Sequence, residues 1–158
     1  MEKFQLLMEE SKKKLNIADH ILTMTYPVVK DPKLLLVVLE NIFLSLTNAI
    51  GAILYHERLF KRIPSFQDNF DSKFEVLKEI AEKNNLNHLD MIKDIKEIIL
   101  QHKKSPMEFT KSDRLIICSD TYKIKQISYE NLKKYIFNAK SFIIQATNIV
   151  KKHESIFR

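Results

Sequence analysis

Glycine is almost absent from this chain: there is one in 158 residues, where average usage near ~7% would give roughly eleven. That scarcity excludes the G-x-G-x-x-G dinucleotide fingerprint, the G-x-x-x-x-G-K-[ST] phosphate loop and any series of glycine-dependent hairpin turns. No nucleotide cofactor is therefore expected, and no other cofactor has a visible site. Tryptophan is missing and proline occurs four times, so long stretches are free of helix breakers. The one cysteine, Cys118, cannot form an internal bridge, and alone it makes neither a zinc ribbon nor a redox pair. A reducing interior, the cytoplasm, is the expected compartment. The opening Met1-Glu2-Lys3-Phe4 also lacks the basic and apolar regions of a signal peptide.

Paired histidines are missing as well. His20, His56, His88, His102 and His153 never stand four apart, and none follows a glutamate by three. Those spacings are what H-E-x-x-H hydrolases and di-iron carboxylate bundles need to bring ligands onto one helix face, so no metal site is expected.

What is present is a lysine- and isoleucine-rich chain of single-domain size, residues 1–158, with a net charge of +6 and a pI of about 9.3. An acidic partner, RNA or an acidic protein, suits that charge. Lysine outnumbers arginine 22 to 4, and it is arginine that forks bidentately onto phosphates and bases.

Apolar and small residues at Phe4, Leu7, Met8, Ser11, Leu15, Ala18, Leu22 and Thr25 step by threes and fours, predicting a helix over 2–25 that ends at Tyr26-Pro27. Asp31-Pro32 reads as a cap for a second helix running to about Arg62. Ser72-Lys73-Phe74-Glu75 reads as a capping box for a third helix, broken at Asn84-Asn85 and restarted from Asn87 to His102. Between Lys103 and Ile127 the helical period vanishes. There Met107–Thr110 and Arg114–Cys118 flank Lys111-Ser112-Asp113 as a short β-hairpin or extended loop, the only strand-like stretch. Ser128 caps a last helix carrying Leu132, Ile136, Ala139, Ile143, Ala146 and Val150. The expected fold class is all-α: an up-and-down antiparallel bundle of four long helical units, the third broken, with the hairpin-like loop before the last.

The second helix holds one charge, Glu40, between Leu34 and Tyr55, a length that could span a bilayer. An ionised glutamate in mid-span would cost ~2.5 kcal/mol or more, and Asn41, Ser45, Thr47 and Asn48 add to the cost. The expectation is a buried central helix and no membrane partner. Asn41, Ser45, Asn48 and Ala52 share one face, and Gly51 beside them would cost ~1 kcal/mol relative to alanine in a helix interior. Such a stripe permits a close helix crossing, within the bundle or at a dimer seam.

The irregular segment is where function is sought, because loops on a rigid scaffold carry it. His102, Lys103, Lys104, Lys111 and Arg114 form a candidate cationic rim for phosphates or an acidic partner. Cys118, with no histidine adjacent, reads as an inert thiol.

With its long helix pair, a broken third helix ending in a histidine near a basic loop, and a regular final helix, the chain resembles the HEPN superfamily of small helical bundles. The string from His102 to Phe109 is also similar to that of short uncharacterised archaeal helical proteins. The HEPN resemblance implies a homodimer formed through bundle faces and an RNA or nucleotidyltransferase-like partner. Active HEPN ribonucleases carry an arginine four to six residues from a histidine, and none of Arg58, Arg62, Arg114 or Arg158 is followed by a histidine at that spacing. The nearest substitute is Lys96 with His102. The expectation is a non-catalytic binding module; the alternative is a divergent metal-independent ribonuclease using His102 and Lys96.

Overall fold

The computed structural model describes residues 2–104, 107–111, 113–119 and 123–154. Ser105, Pro106, Ser112, Asp120 and Arg158 lie outside the described residues, and Met107 and His153 are described in their backbone alone. The described chain is predominantly helical and carries a small antiparallel sheet. Its elements are α1 (Lys3–His20), a π-helical turn (Ile21–Thr25), α2 (Tyr26–Val29), α3 (Lys33–Leu59), α4 (Phe70–Asn84), α5 (Leu89–Lys104), β1 (Met107–Lys111), β2 (Arg114–Cys118), β3 (Ile124–Ser128) and α6 (Tyr129–Glu154).

The first helix does not stop at Tyr26-Pro27. A proline ring inside an α-helix collides with the carbonyl four residues back, and here the ladder widens just upstream of it. The Tyr26 N–H reaches the Ile21 carbonyl, an i to i+5 bond, and the chain stays helical through Pro27 to Val29. A π turn relieves the clash that the sequence reading took for a stop. Lys30, at φ 55°, ends the helix instead, donating its N–H to the Tyr26 carbonyl.

α3 begins where expected, with the Asp31 carboxylate accepting from the Lys33 N–H at 3.0 Å. It ends at Leu59 rather than Arg62. The turn beyond it is a Schellman closure, with the Arg62 N–H on the Glu57 carbonyl, the Lys61 N–H on that of Arg58, and Lys61 at φ 56°. α4 starts earlier than its expected capping box. Asn69 is the cap, its side chain accepting from the Ser72 N–H at 2.9 Å. The extra turn lets Phe70 stack on Phe74 and meet Phe43 of α3. α5 starts at Leu89, and the Asn87 N–H donates to the Gln145 side chain of α6 at 2.9 Å.

α3 is the hub: it packs against α1, α4, α5, α6 and two strands. It is the one helix among the described residues long and apolar enough to cross a membrane, and in this structure Leu35, Leu39, Ile42, Leu46, Ile53 and Leu54 are fully enclosed by the protein. α1 runs antiparallel to it. Two serines clasp the pair: the Ser11 hydroxyl donates to the Ser45 carbonyl and the Ser45 hydroxyl to the Ser11 carbonyl, each at 2.7 Å. A Cβ on Gly51 would come within 3.2 Å of Leu7 Cδ1.

The third unit is not a broken rod. Lys96 of α5 bonds Asp71 at the start of α4, at 2.9 Å, whereas a continuous helix would hold residues 25 apart ~37 Å from each other. α4 and α5 therefore fold back on one another through Asn85, whose φ is 52°. The non-helical segment holds one strand more than expected. β1 and β2 pair through Lys111 and Arg114, and β3, which no strand-like pattern marks in the sequence, pairs along β2 from Ile124 to Ser128.

Candidate functional site

Directly opposed residues of an antiparallel pair share a face, so the register divides the sheet. Leu115, Ile117 and Ile127 look inward and join the helical core. Glu108 shares that inner side. Phe109, Lys111, Arg114, Ile116, Ile124 and Gln126 occupy the outer side. Phe109 is 46% exposed and Ile124 59% exposed, which is unusual exposure for apolar side chains on a sheet of only three strands.

The hairpin is anchored at both ends. At its base the Gln101 amide donates to the carbonyls of Ile117 (3.3 Å) and Lys123 (2.9 Å), and the half-buried His102 ring pairs through Nδ1 with the Glu108 carboxylate. Lys125 of β3 approaches Glu97 of α5 at 3.9 Å. At its tip the Tyr26 hydroxyl donates to the Asp113 carbonyl at 3.4 Å, and the Tyr26 ring stacks on Tyr129. Burial, followed by the charges of Asp113 and Glu130, pushes the Tyr26 hydroxyl above its ordinary pKa, keeping it a neutral donor.

The five expected cationic residues do not meet at one point. His102 lies on the helix side of the sheet, with its carboxylate partner beside it. Lys103 and Lys104 are exposed at the hairpin base. Lys111 and Arg114 oppose each other at the tip on the outer face, about 14 Å away along a five-residue strand. The Arg114 guanidinium touches the neutral Gln126 side chain at 3.2 Å. Among the described residues, no carboxylate pairs with Lys103, Lys104, Lys111 or Arg114.

Lys96 is placed elsewhere. Its ammonium bonds Asp71 at 2.9 Å and sits 3.9 Å over the Phe70 ring, both on α4. Six residues along a helix amount to a rise of ~9 Å and a rotation of ~240°, so Lys96 and His102 point to different sides of α5. Of the α3 stripe, Ser45 and Gly51 face α1, Ala52 is buried, and Asn41 and Asn48 are half-buried.

The sequence reading missed the cations at the start of α1 and the end of α3, where Lys3, Arg58 and Lys61 line one cleft. Nothing in their spacing, 55 residues from Lys3 to Arg58, signals the meeting; it follows from the antiparallel packing of the two helices. Among the described residues no group of histidine, cysteine and carboxylate side chains could hold a metal ion. No family model matches the chain, and no curated protein is significantly similar to it.

Proposed function

We propose that the chain is a non-catalytic binding module, built on a HEPN-like up-and-down helical bundle, that holds single-stranded RNA on the outer face of its sheet. One observation carries this reading: an exposed aromatic, Phe109, stands on the outer strand face beside Lys111 and Arg114, which no described carboxylate neutralises. Such a face offers a stacking platform for a base and cations for the flanking phosphates. Lys103 and Lys104 extend the positive strip from the hairpin base. A ribonuclease has less support. It needs a cation beside His102, and Lys96 is engaged by Asp71 and Phe70, while Arg114 lies on the other face of the sheet from Glu108, the partner of His102.

Binding of a labelled single-stranded oligoribonucleotide at low salt tests the reading. Affinity falls steeply as salt rises, Phe109→Ala weakens binding about tenfold, a loss of ~1.4 kcal/mol, and Arg114→Glu abolishes it at physiological salt. No measurable binding at low salt overturns the RNA assignment and leaves an acidic protein as the partner.

The same reading includes a homodimer in the cytoplasm. Phe137 and Ile144 stand two turns apart on α6, 75% and 61% exposed, and supply the apolar contact that a second copy would cover. Sedimentation of the wild type as a dimer and of Phe137→Glu as a monomer is the expected outcome; identical masses count against this face.

A further inference from the structure

A second cationic site lies where the first turn of α1 meets the last turn of α3. A cleft of about 380 Å³ opens there, lined by Glu2, Lys3, Phe4, Tyr55, Arg58, Leu59 and Lys61. Ligand pockets begin at about this volume. Its walls are apolar and aromatic, and its charge is mostly of one sign.

Two of the three cations rest against aromatic rings. The Lys3 ammonium sits 4.0 Å over the Tyr55 ring, and the Arg58 guanidinium lies 5.7 Å from the Phe66 centroid; both are cation–π contacts that fix a charge without neutralising it. Lys61 is carried by the left-handed residue of the Schellman turn. The nearby acids are largely committed elsewhere. Glu57, buried just behind, pairs with Arg62 at 3.4 Å and His56 at 3.3 Å. Asp68 takes its hydrogen bond from Lys73; that bond, then the Lys73 charge and more weakly the Lys3 charge, holds its carboxyl below the ordinary range. Among the described residues, Lys3, Arg58 and Lys61 form no ion pair.

We propose that this cleft is a binding site for a phosphate monoester with an apolar body. Arg58 supplies the planar fork for two phosphate oxygens, Lys3 and Lys61 add point charges, and the exposed Leu59 with Tyr55 takes the organic group. The site shares no residue with the sheet face, so either can fail alone. A free phosphate ester and the 5′-phosphate of an RNA end present the same chemistry.

Titration of the full chain with phenyl phosphate, phenol and inorganic phosphate, followed by backbone amide shifts, tests the site. Phenyl phosphate should saturate shifts at Lys3, Arg58 and Lys61, at least tenfold more tightly than either fragment. The surface substitution Arg58→Gln should weaken it at least tenfold with an unchanged melting temperature, and Arg114→Gln should leave it unaltered. A 5′-phosphorylated oligoribonucleotide against its 5′-hydroxyl form separates the two sources: a preference for the phosphorylated end at this cleft assigns it to RNA termini, and none, with phenyl phosphate still bound, to small esters. Absence of shifts at these residues with millimolar phenyl phosphate, or equal affinity in Arg58→Gln, overturns the proposal.

Discussion

A chain with one glycine still has to leave its helices, and it does so on side-chain-bearing residues. Lys30, Lys61, Asn85, His88 and Asp113 all sit at positive φ, a region that costs an L-residue other than glycine roughly 1–2 kcal/mol. Lys30 is exposed and donates only its backbone N–H at this turn, so Lys30→Gly should raise stability by about 0.5–1 kcal/mol. In a thermal melt that is a gain of ~1–4 °C for a chain this size. A lower melting temperature would show that the lysine side chain stabilises the turn. Three of these residues, Lys30, Lys61 and Asn85, follow a helix, whereas His88 precedes α5 and Asp113 lies in the turn between β1 and β2. Asn85 could be foreseen as a left-handed residue; lysine at two such positions could not.

Among the elements, the α1–α3 pair is the tightest seam, and Gly51 with the two serines explains why. The atom nearest a Cβ at Gly51 is the end of the flexible Leu7 side chain, at 3.2 Å. Gly51→Ala should therefore change stability by no more than about 1 kcal/mol, tipped toward a gain by helix propensity. Gly51→Leu should lose about 2–3 kcal/mol through overpacking, read as an earlier midpoint in urea. Equal midpoints for wild type and the leucine variant would mean the seam opens freely there. The helical period made α3 and α6 legible in the sequence, with the Asp31 carboxylate accepting from the first N–H of α3 and Ser128 capping α6. The π turn before Pro27 was not legible, because the usual steric rule predicts a stop and only the neighbouring packing decides to widen the ladder instead. β3 was missed for a related reason. Ile124-Lys125-Gln126-Ile127-Ser128 does not alternate cleanly, and it becomes a strand because β2 offers it an unpaired edge.

For the molecule as a whole, Tyr135 of α6, near Asp94 of α5, makes one contribution to stability that depends on alkaline pH. Burial, with the Asp94 charge adding to it, raises the Tyr135 hydroxyl above its ordinary value of 10.0. The unfolded chain therefore loses that proton first, so stability is intact below about pH 10 and declines as pH rises from there through the higher folded value. Tyr135→Phe should retain more stability than wild type in denaturation at pH 11 and differ little in that respect at pH 7. Parallel losses in both proteins between those values would show that Tyr135 makes no such contribution.

Residue order alone marks the long helices though not their ends, the apolar face of each, an α3 too apolar to be anything but enclosed or inserted in a membrane, and a break in the pattern from Lys103 to Ile127. Each of these follows from local spacing, since a helix or strand shows its period in consecutive residues. It also named His102, Lys103, Lys104, Lys111 and Arg114 as cations of that segment, but not their separation. Only the tertiary structure decided that the sheet register turns Glu108 toward His102 while Lys111 and Arg114 face out, that α4 and α5 fold back on each other, and that Lys3 meets Arg58 and Lys61 across a cleft. Those outcomes depend on which elements pair and in what register, a choice set by the sum of buried contacts over the whole chain and carried by no single stretch of it.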